Sequence, residues 1–427
     1  MPDAKPGHSR RRRAVPDFPP LGTPPPLATP TGRAPDVSLA RANAVLVLLA
    51  VTAFAIVTSE VLPVGLITLI STDLHRTNAE IGLLVTAYAG VVVVASIPLA
   101  HLTKSIPRRQ LLSATMLVYV TGTLIASLGG GFGGLLAGRM LTALAQAQFW
   151  AVVTATAAGL FPARVRGKIV SRLLLGPASA GLFGLPTATW LGQHFGWRAP
   201  FYVLACAGVV LAILIAILVP RYRPADGAAA RGVKPSVRRF AFILAITLMA
   251  IIGTNAIGPY VTPYLRDVTG FSASSFPLLF TVSGVTGLVA MVTVGRFLDR
   301  LPMGMLAVGL GMLMVGWVGV VMAGTSKPAT VAFYCLAAFG GSFIVGGLSN
   351  RALQTSPGST DVGIATHGTF YNSGTALGSL LGSGVLAAHG ARSLPLVAAG
   401  FLSLALVLVA LERRFGAPRA ARGAAPA

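Results

Sequence analysis

The stretch AFAIVTSEVLPVGL, residues 53–66, holds a glutamate, Glu60, in the middle of an apolar run, and no Lys or Arg lies between Arg41 and Arg76. The run extends over about residues 42–70. At about 1.5 Å per helical residue that is long enough to cross a hydrocarbon core of about 30 Å. Comparable runs recur along the whole chain. The 427 residues are 54% hydrophobic and only 10% charged, with a mean hydropathy of +0.77, whereas soluble domains carry roughly a quarter charged residues. A soluble fold would have to hide more apolar surface than one core holds, so the pattern is that of a polytopic all-α membrane protein.

Twelve candidate spans fall near 42–70, 80–102, 110–129, 133–160, 169–193, 199–220, 240–265, 275–297, 304–324, 328–351, 361–388 and 393–412. The formal charge of +22 sits in short clusters between them. That is the arrangement of topology determinants and not of a nucleic-acid surface. With both termini on the cytoplasmic side, that side receives Arg108/Arg109, Arg164/Arg166/Lys168, Arg221/Arg223, Arg238/Arg239, Arg300, Arg351 and Arg413/Arg414. The other side receives Arg76, Arg198, Arg266, Lys327 and Arg392, one per loop. The asymmetry predicts orientation as well as number.

RYRPADGAAARGVKPSVRR, residues 221–239, reads as a cytoplasmic linker between an N-terminal six-span half (42–220) and a C-terminal one (240–412). An internal repeat supports the division. PVGLITLISTDLHRTNAEIGLLVTAYAGV from Pro63 is similar to PYVTPYLRDVTGFSASSFPLLFTVSGV from Pro259, with Asp73 and Asp267 in like places. LTKSIPRRQLL after span 2 is echoed by FLDRLPMGML after span 8. Residues 1–41, Pro- and Arg-rich with an Arg10–Arg13 run, and residues 413–427 read as cytoplasmic tails. Cys206 and Cys335 lie in separate spans and read as small buried hydrophobes.

Several stretches resemble the major facilitator superfamily, and within it the twelve-span drug and sugar efflux antiporters. TSEVLPVGLITLISTDL is similar to the signature of the first span, LTKSIPRRQLL stands where the family has its loop motif between spans 2 and 3, and AGRMLTALAQAQFWAV resembles the span 4 motif beginning at Arg139. GLFGLPTATWLGQHFGWRAPF resembles the glycine- and proline-rich span 5 motif of antiporters. PGSTDVGIATHGTFYNSGTALGSLLGS looks most like bacterial sugar exporters. Three departures stand out: Lys104 where the loop motif has an acid, Gln146-Ala147 where His-Gly is common, and GTNAIGPY in span 7 in place of an aromatic-rich run. The resemblance implies a transporter of alternating-access type, with spans 1 and 4 together against a central cavity. It also implies gating at Arg108 and Arg109 and a bend in span 5 at Gly181, Gly184 and Pro186.

Of eleven Asp and Glu residues, Glu60 alone is deep in a span. A charge there costs at least about 2.5–3.5 kcal/mol and faces a cavity or a partner. Low dielectric favours its neutral acid and a neighbouring arginine favours the carboxylate, so a carboxyl held between the two can exchange a proton. Arg139 is the candidate partner, since both residues lie roughly 10–12 Å inside the outer boundary by helical rise. The pair either couples proton binding to cargo movement or locks span 1 to span 4, or else Glu60 is an unpaired cavity residue. Arg139, Thr142, Gln146 and Trp150 share one face of span 4. Gln146 and Trp150 are candidates for cargo, or Gln146 for a bond to a neighbouring helix. Asn255, Tyr260, Phe343 and Asn372 are the second-half candidates for cargo contact. Asp299-Arg300 is either a gating pair or a solvated loop pair.

There is no phosphate-binding loop for ATP, no metal-ligand spacing and no nucleophile–base–acid set. The expectation is therefore no enzyme and no cofactor, and a monomeric exporter in a bacterial cytoplasmic membrane. It would move a sugar, or else an amphipathic drug, against protons. A facilitative or proton-symport carrier, and a non-transporting receptor of the same fold, are the alternatives.

Overall fold

In the computed structural model, which describes residues 37–103, 105–162, 165–221, 235–297, 302–357 and 360–415, the chain is helical, with no strand among those residues. The N-terminal set is α1 (Leu39–Asp73), α2 (Asn78–Leu102), α3 (Arg108–Leu128), α4 (Gly131–Gly159), α5 (Arg166–Ser179), α6 (Leu185–Phe195) and α7 (Ala199–Leu218). The C-terminal set is α8 (Val237–Ile257), α9 (Val261–Asp267), α10 (Phe276–Phe297), α11 (Pro302–Ala323), α12 (Lys327–Thr355), α13 (Thr360–His389) and α14 (Leu394–Phe415). Ten helical stretches among the described residues are long and apolar enough to cross a membrane. At 29 and 30 residues, α4 and α13 are as long but richer in Gly, Ser, Thr and amides. Large apolar side chains stand on the outside of the bundle, among them Val94, Ile97, Ile213, Leu278 and Val289. An aqueous surface does not tolerate such a belt, and lipid does.

Local chemistry sets the boundaries. Thr77 and Glu80 form a reciprocal cap at the start of α2. Positive-φ glycines, Gly196 and Gly390, end α6 and α13. Helix α1 begins at Leu39, so Arg41 is helical where the sequence places a tail; its Nε donates to the carbonyl of Leu218 at 2.9 Å and its Nη2 to that of Ile217 at 3.2 Å. The guanidinium thus satisfies the last carbonyls of α7. Arg413 and Arg414, also assigned to a tail, lie in the last turn of α14.

Two expected single helices are interrupted. Between α5 and α6 the chain widens into a π turn at Ala180–Gly184, because Pro186 has no N–H to offer the carbonyl four residues back, which an i→i+5 register absorbs. Between α8 and α9 a 3-10 turn, Gly258–Tyr260, meets the same problem at Pro259.

Three glycines spaced eight apart carry α5 and α6 along α1. A Cβ on Gly176 would lie 2.0 Å from the Ala50 carbonyl oxygen, one on Gly184 2.2 Å from Thr58 Oγ1, and one on Gly192 2.3 Å from Leu66 Cδ2. Both series climb together, so the helices run parallel with their backbones nearly touching. Gly176→Ala is expected to destabilise the protein by about 1–3 kcal/mol by overpacking against backbone. Gly181→Ala, whose Cβ meets open space, serves as the control in the same thermal melt.

Charge is also used structurally. Asp73 at the end of α1 accepts from Trp197 Nε1 at 2.9 Å and Arg198 Nη1 at 2.8 Å. At the other end of the bundle the buried Glu412 accepts from Arg351 Nη2 at 3.1 Å and lies 3.7 Å from Arg239 Nε. That group ties α14 to α12 and α8.

Candidate functional site in the membrane layer

The site forms where α1, α2 and α4 meet. Helix α4 presents Arg139, Thr142 and Gln146 on one face, as their three- and four-residue spacing requires; all three are buried, Arg139 to 1% exposure and Gln146 to 4%. Opposite them α1 brings Glu60, which is half-buried, and α2 brings Tyr88, 2% exposed.

The carboxylate and the amide are in direct contact: Gln146 Nε2 donates to Glu60 Oε2 at 2.9 Å. The other end of the same amide, Gln146 Oε1, accepts from the Tyr88 hydroxyl at 2.8 Å. An amide has one donor end and one acceptor end. With Tyr88 occupying the acceptor end, only N–H can face Glu60, so the relay from α2 through α4 to α1 is polarised towards the carboxylate.

Arg139 has a different partner from the one expected. The sequence suggests a carboxylate–guanidinium pair with Glu60, yet among the described residues no ion pair joins the two. Instead Arg139 Nη1 donates to the backbone carbonyl of Ser59, and Nη2 to that of Glu60 at 2.9 Å. Beneath it the Tyr88 ring centroid lies 4.3 Å from the guanidinium carbon, within cation–π range. The positive charge is close to Glu60 but anchored to its backbone, and the carboxylate is left to Gln146.

The remaining candidates divide. Trp150 is half-buried and meets Phe149 edge-on at 5.7 Å. Asn255 and Asn372 donate to carbonyls of their own helices, Ile251 at 3.0 Å and Gly368 at 2.9 Å, which leaves each side-chain oxygen as an acceptor. Phe343 is packed with Ala290, Met305 and Phe339 and presses on Gly309, so it belongs to the α10–α12 packing and the structure does not bring it to Glu60. Tyr260 is fully buried and its hydroxyl donates to the Ser379 carbonyl at 2.8 Å.

That tyrosine belongs to a seam between the two sets at the Asp73 end. Ser379 Oγ donates to the Gly82 carbonyl at 3.0 Å, Ser383 Oγ to that of Ala79 at 2.9 Å, and Thr262 Oγ1 to that of Val64 at 2.7 Å. Gln193 Nε2 adds a bond to the Ala273 carbonyl at 2.5 Å. The π turn containing Gly181 and Gly184 docks on α10, where a Cβ on Gly284 would come within 2.6 Å of Leu182 Cα; Pro186 is buried next to it. Arg108 and Arg109 open α3. Lys104, Asp299 and Arg300 lie outside the described residues.

One member of the site is absent from the sequence-based candidates. Tyr88 stands in LLVTAYAGVV, where the only other polar side chain is Thr86, and its signal is a phenol among aliphatic neighbours. Tyr371 on α13, half-buried, is the chain neighbour of the candidate Asn372, one residue off the expected position. Tyr88→Phe removes the donor to Gln146 and is expected to cost about 1 kcal/mol. Tyr88→Leu additionally loses the ring under Arg139, about 0.5–2 kcal/mol more; melting curves of the two variants in nanodiscs separate the contributions.

A bundle of apolar helices with a polar, charged group inside the membrane layer is a build that transporters of small molecules use. The family model of the Major Facilitator Superfamily matches residues 48–358 and 243–426. The chain belongs to that superfamily. Among solved structures it is similar to a bacterial homolog of the human lysosomal transporter Spinster in an inward-facing, unoccupied conformation. That match has 17% identity, covers 88% of this chain and 98% of the other, and has a TM-score of 0.69. The human organic anion transporter MFSD10 (TETRAN) matches at 14% identity, 86% and 99% coverage and a TM-score of 0.65. A peptide transporter in complex with alafosfalin matches at 12% identity, 87% and 94% coverage and a TM-score of 0.69. At such identities the likeness concerns the fold, and the function must be argued from the site.

Proposed function

We propose that this chain is an exporter that exchanges a small molecule for protons by alternating access, with Glu60 as the proton-binding group. The observation that carries the reading is the Glu60 carboxylate itself. It lies in the membrane layer, half-buried, hydrogen-bonded to one amide donor at 2.9 Å and in no ion pair with the adjacent arginine. A carboxyl so placed can be neutralised without breaking a salt bridge. Gln146, Tyr88 and Trp150 of the N-terminal set and Tyr371, Asn255 and Asn372 of the C-terminal set carry hydroxyl, amide and aromatic groups, which in this reading meet the cargo. These suit a sugar or sugar-like cargo first and an amphipathic drug second.

The proposal includes twelve spans in two six-span halves, α1–α7 and α8–α14, with the segments before α1, between α7 and α8, and after α14 cytoplasmic. In support, α4 and α13 supply two long polar helices beyond the ten apolar stretches. The glycine crossing of α3 on α4, Gly122 against Gly138, recurs as Gly309 against Gly340 between α11 and α12. With Arg-rich loops facing the cytoplasm of a bacterial inner membrane, the hydroxyl seam closes the outer face, as in a conformer open inward. The protein acts as a monomer in this reading.

The test is cargo-triggered proton movement in proteoliposomes under an imposed pH gradient, with arabinose, a galactoside, chloramphenicol and a lipophilic cation as the panel. Dissipation of the gradient by one compound supports antiport. Cargo flux without proton counterflow favours a facilitative carrier, and saturable binding without flux a receptor.

A further inference from the structure

Helix α1 runs unbroken from Leu39 to Asp73 through a proline, Pro63. A proline in a helix has no N–H, and its ring crowds the carbonyl four residues earlier. Here that carbonyl belongs to Ser59. In water it would find a solvent partner, but in the hydrocarbon layer it has none, and an unsatisfied backbone group there costs several kcal/mol. The residue's own hydroxyl does not help: Ser59 Oγ is buried without a partner. The group that reaches the Ser59 carbonyl is Arg139 Nη1, with Nη2 on the next carbonyl, that of Glu60, at 2.9 Å. Arg139 Nε, by contrast, is buried with no partner. The guanidinium is therefore committed to the α1 backbone by its two terminal nitrogens.

We infer that Pro63 is a positioning residue for the site: by withholding an N–H from Ser59 it creates the acceptor that captures Arg139, and so keeps the guanidinium off the Glu60 carboxylate. Three facts then have one cause. Arg139 and Glu60 are adjacent with no ion pair between them, the carboxylate takes an uncharged donor, Gln146, and the arginine lies over the Tyr88 ring with its fork turned to the backbone. The arginine supplies a fixed positive field to the carboxyl. It is not released when the carboxyl is neutralised.

The inference goes beyond proton coupling and does not rest on it. If Glu60 proved not to be the coupled group, the two readouts below would still be valid, since neither requires transport.

The experiment is a double-mutant cycle on the full chain in nanodiscs with Pro63→Ala, Arg139→Leu and both. Pro63→Ala restores a backbone N–H for the Ser59 carbonyl, so the arginine is no longer needed there. The drop in melting temperature caused by Arg139→Leu is expected to fall by half or more in the Pro63→Ala background. The second readout is the infrared carboxylate stretch of Glu60, assigned by its loss in Glu60→Gln. Pro63→Ala frees the guanidinium to meet the carboxylate, so the band is expected to shift, and to return when Arg139→Leu is added. If Arg139→Leu cannot be recovered folded, recovery of the folded double variant reads as the same rescue. Equal losses in both backgrounds, an unmoved band, or failure of both chains to fold overturns the inference.

Discussion

Glu60→Gln is expected to abolish cargo-driven proton exchange. The replacement keeps the length and branching of the side chain, and its oxygen can still accept from Gln146 Nε2, the donor that meets Glu60 Oε2 at 2.9 Å. What is lost is the capacity to take and release a proton. Losing a positioned proton acceptor lowers the exchange rate by about 100-fold or more. Cargo binding, measured by calorimetry, should change by less than about threefold, because one hydrogen bond is retained and its net worth is about 1 kcal/mol. Glu60→Asp, one methylene shorter, should recover part of the exchange. Full exchange in Glu60→Gln would make the residue a structural link between α1 and α4 and send the search for the proton site elsewhere.

The second large effect belongs to Gly82. The ring of Tyr260 occupies the place of its missing side chain: a Cβ there would lie 2.0 Å from Tyr260 Cε1 and 2.3 Å from the hydroxyl oxygen. The ring cannot easily yield, since it is fully buried, holds the Ser379 carbonyl at 2.8 Å and also packs against Gly382. Gly82→Val therefore drives a wedge into the seam between α2 and the C-terminal set. Overpacking of this kind costs about 1–3 kcal/mol, and the strain is relieved when the sets part at that end. The conformer open at the Asp73 end should gain about 5- to 150-fold in population, the range those energies span. The check is disulfide trapping of Ala79→Cys with Ser383→Cys in a chain free of Cys206 and Cys335. Trapping should slow by at least tenfold with the wedge. Unchanged trapping would mean that the ring moves instead and the seam is not the hinge of the equilibrium.

Much of the architecture is readable before any coordinates. The apolar runs fall on the helices, because hydrophobic length is a property of sequence alone. The α4 stripe is readable for the same reason: Arg139, Thr142 and Gln146 share a face by spacing, and a polar face on such a helix has few places to go. Partners are another matter. Matching depth and the family resemblance bring Arg139 to α1 but cannot say that it meets the carbonyls of Ser59 and Glu60 instead of the carboxylate, because backbone acceptors have no letter in a sequence. The seam is hidden likewise, since each hydroxyl there finds a carbonyl. Phe343 reads as a cavity side chain and packs instead with Phe339 and Ala290; the stretch around it, LAAFGGSFIVGG, has one hydroxyl and no charge, so its sequence does not mark which face turns inward. The π turn is readable only as a bend, since two prolines in a glycine-rich run are compatible with several registers.

The seam has one further consequence. Its four bonds, from Ser379, Ser383, Thr262 and Gln193, pair neutral donors with peptide oxygens. Ionic strength acts on charges, and acidity acts only on groups that titrate, so neither weakens this closure. A medium that turns acidic or saline on the Asp73 side leaves the latch as strong as before. In the proposed exporter, the signal that parts these four bonds would then be occupancy of the site around Glu60 and not the composition of the medium on that side.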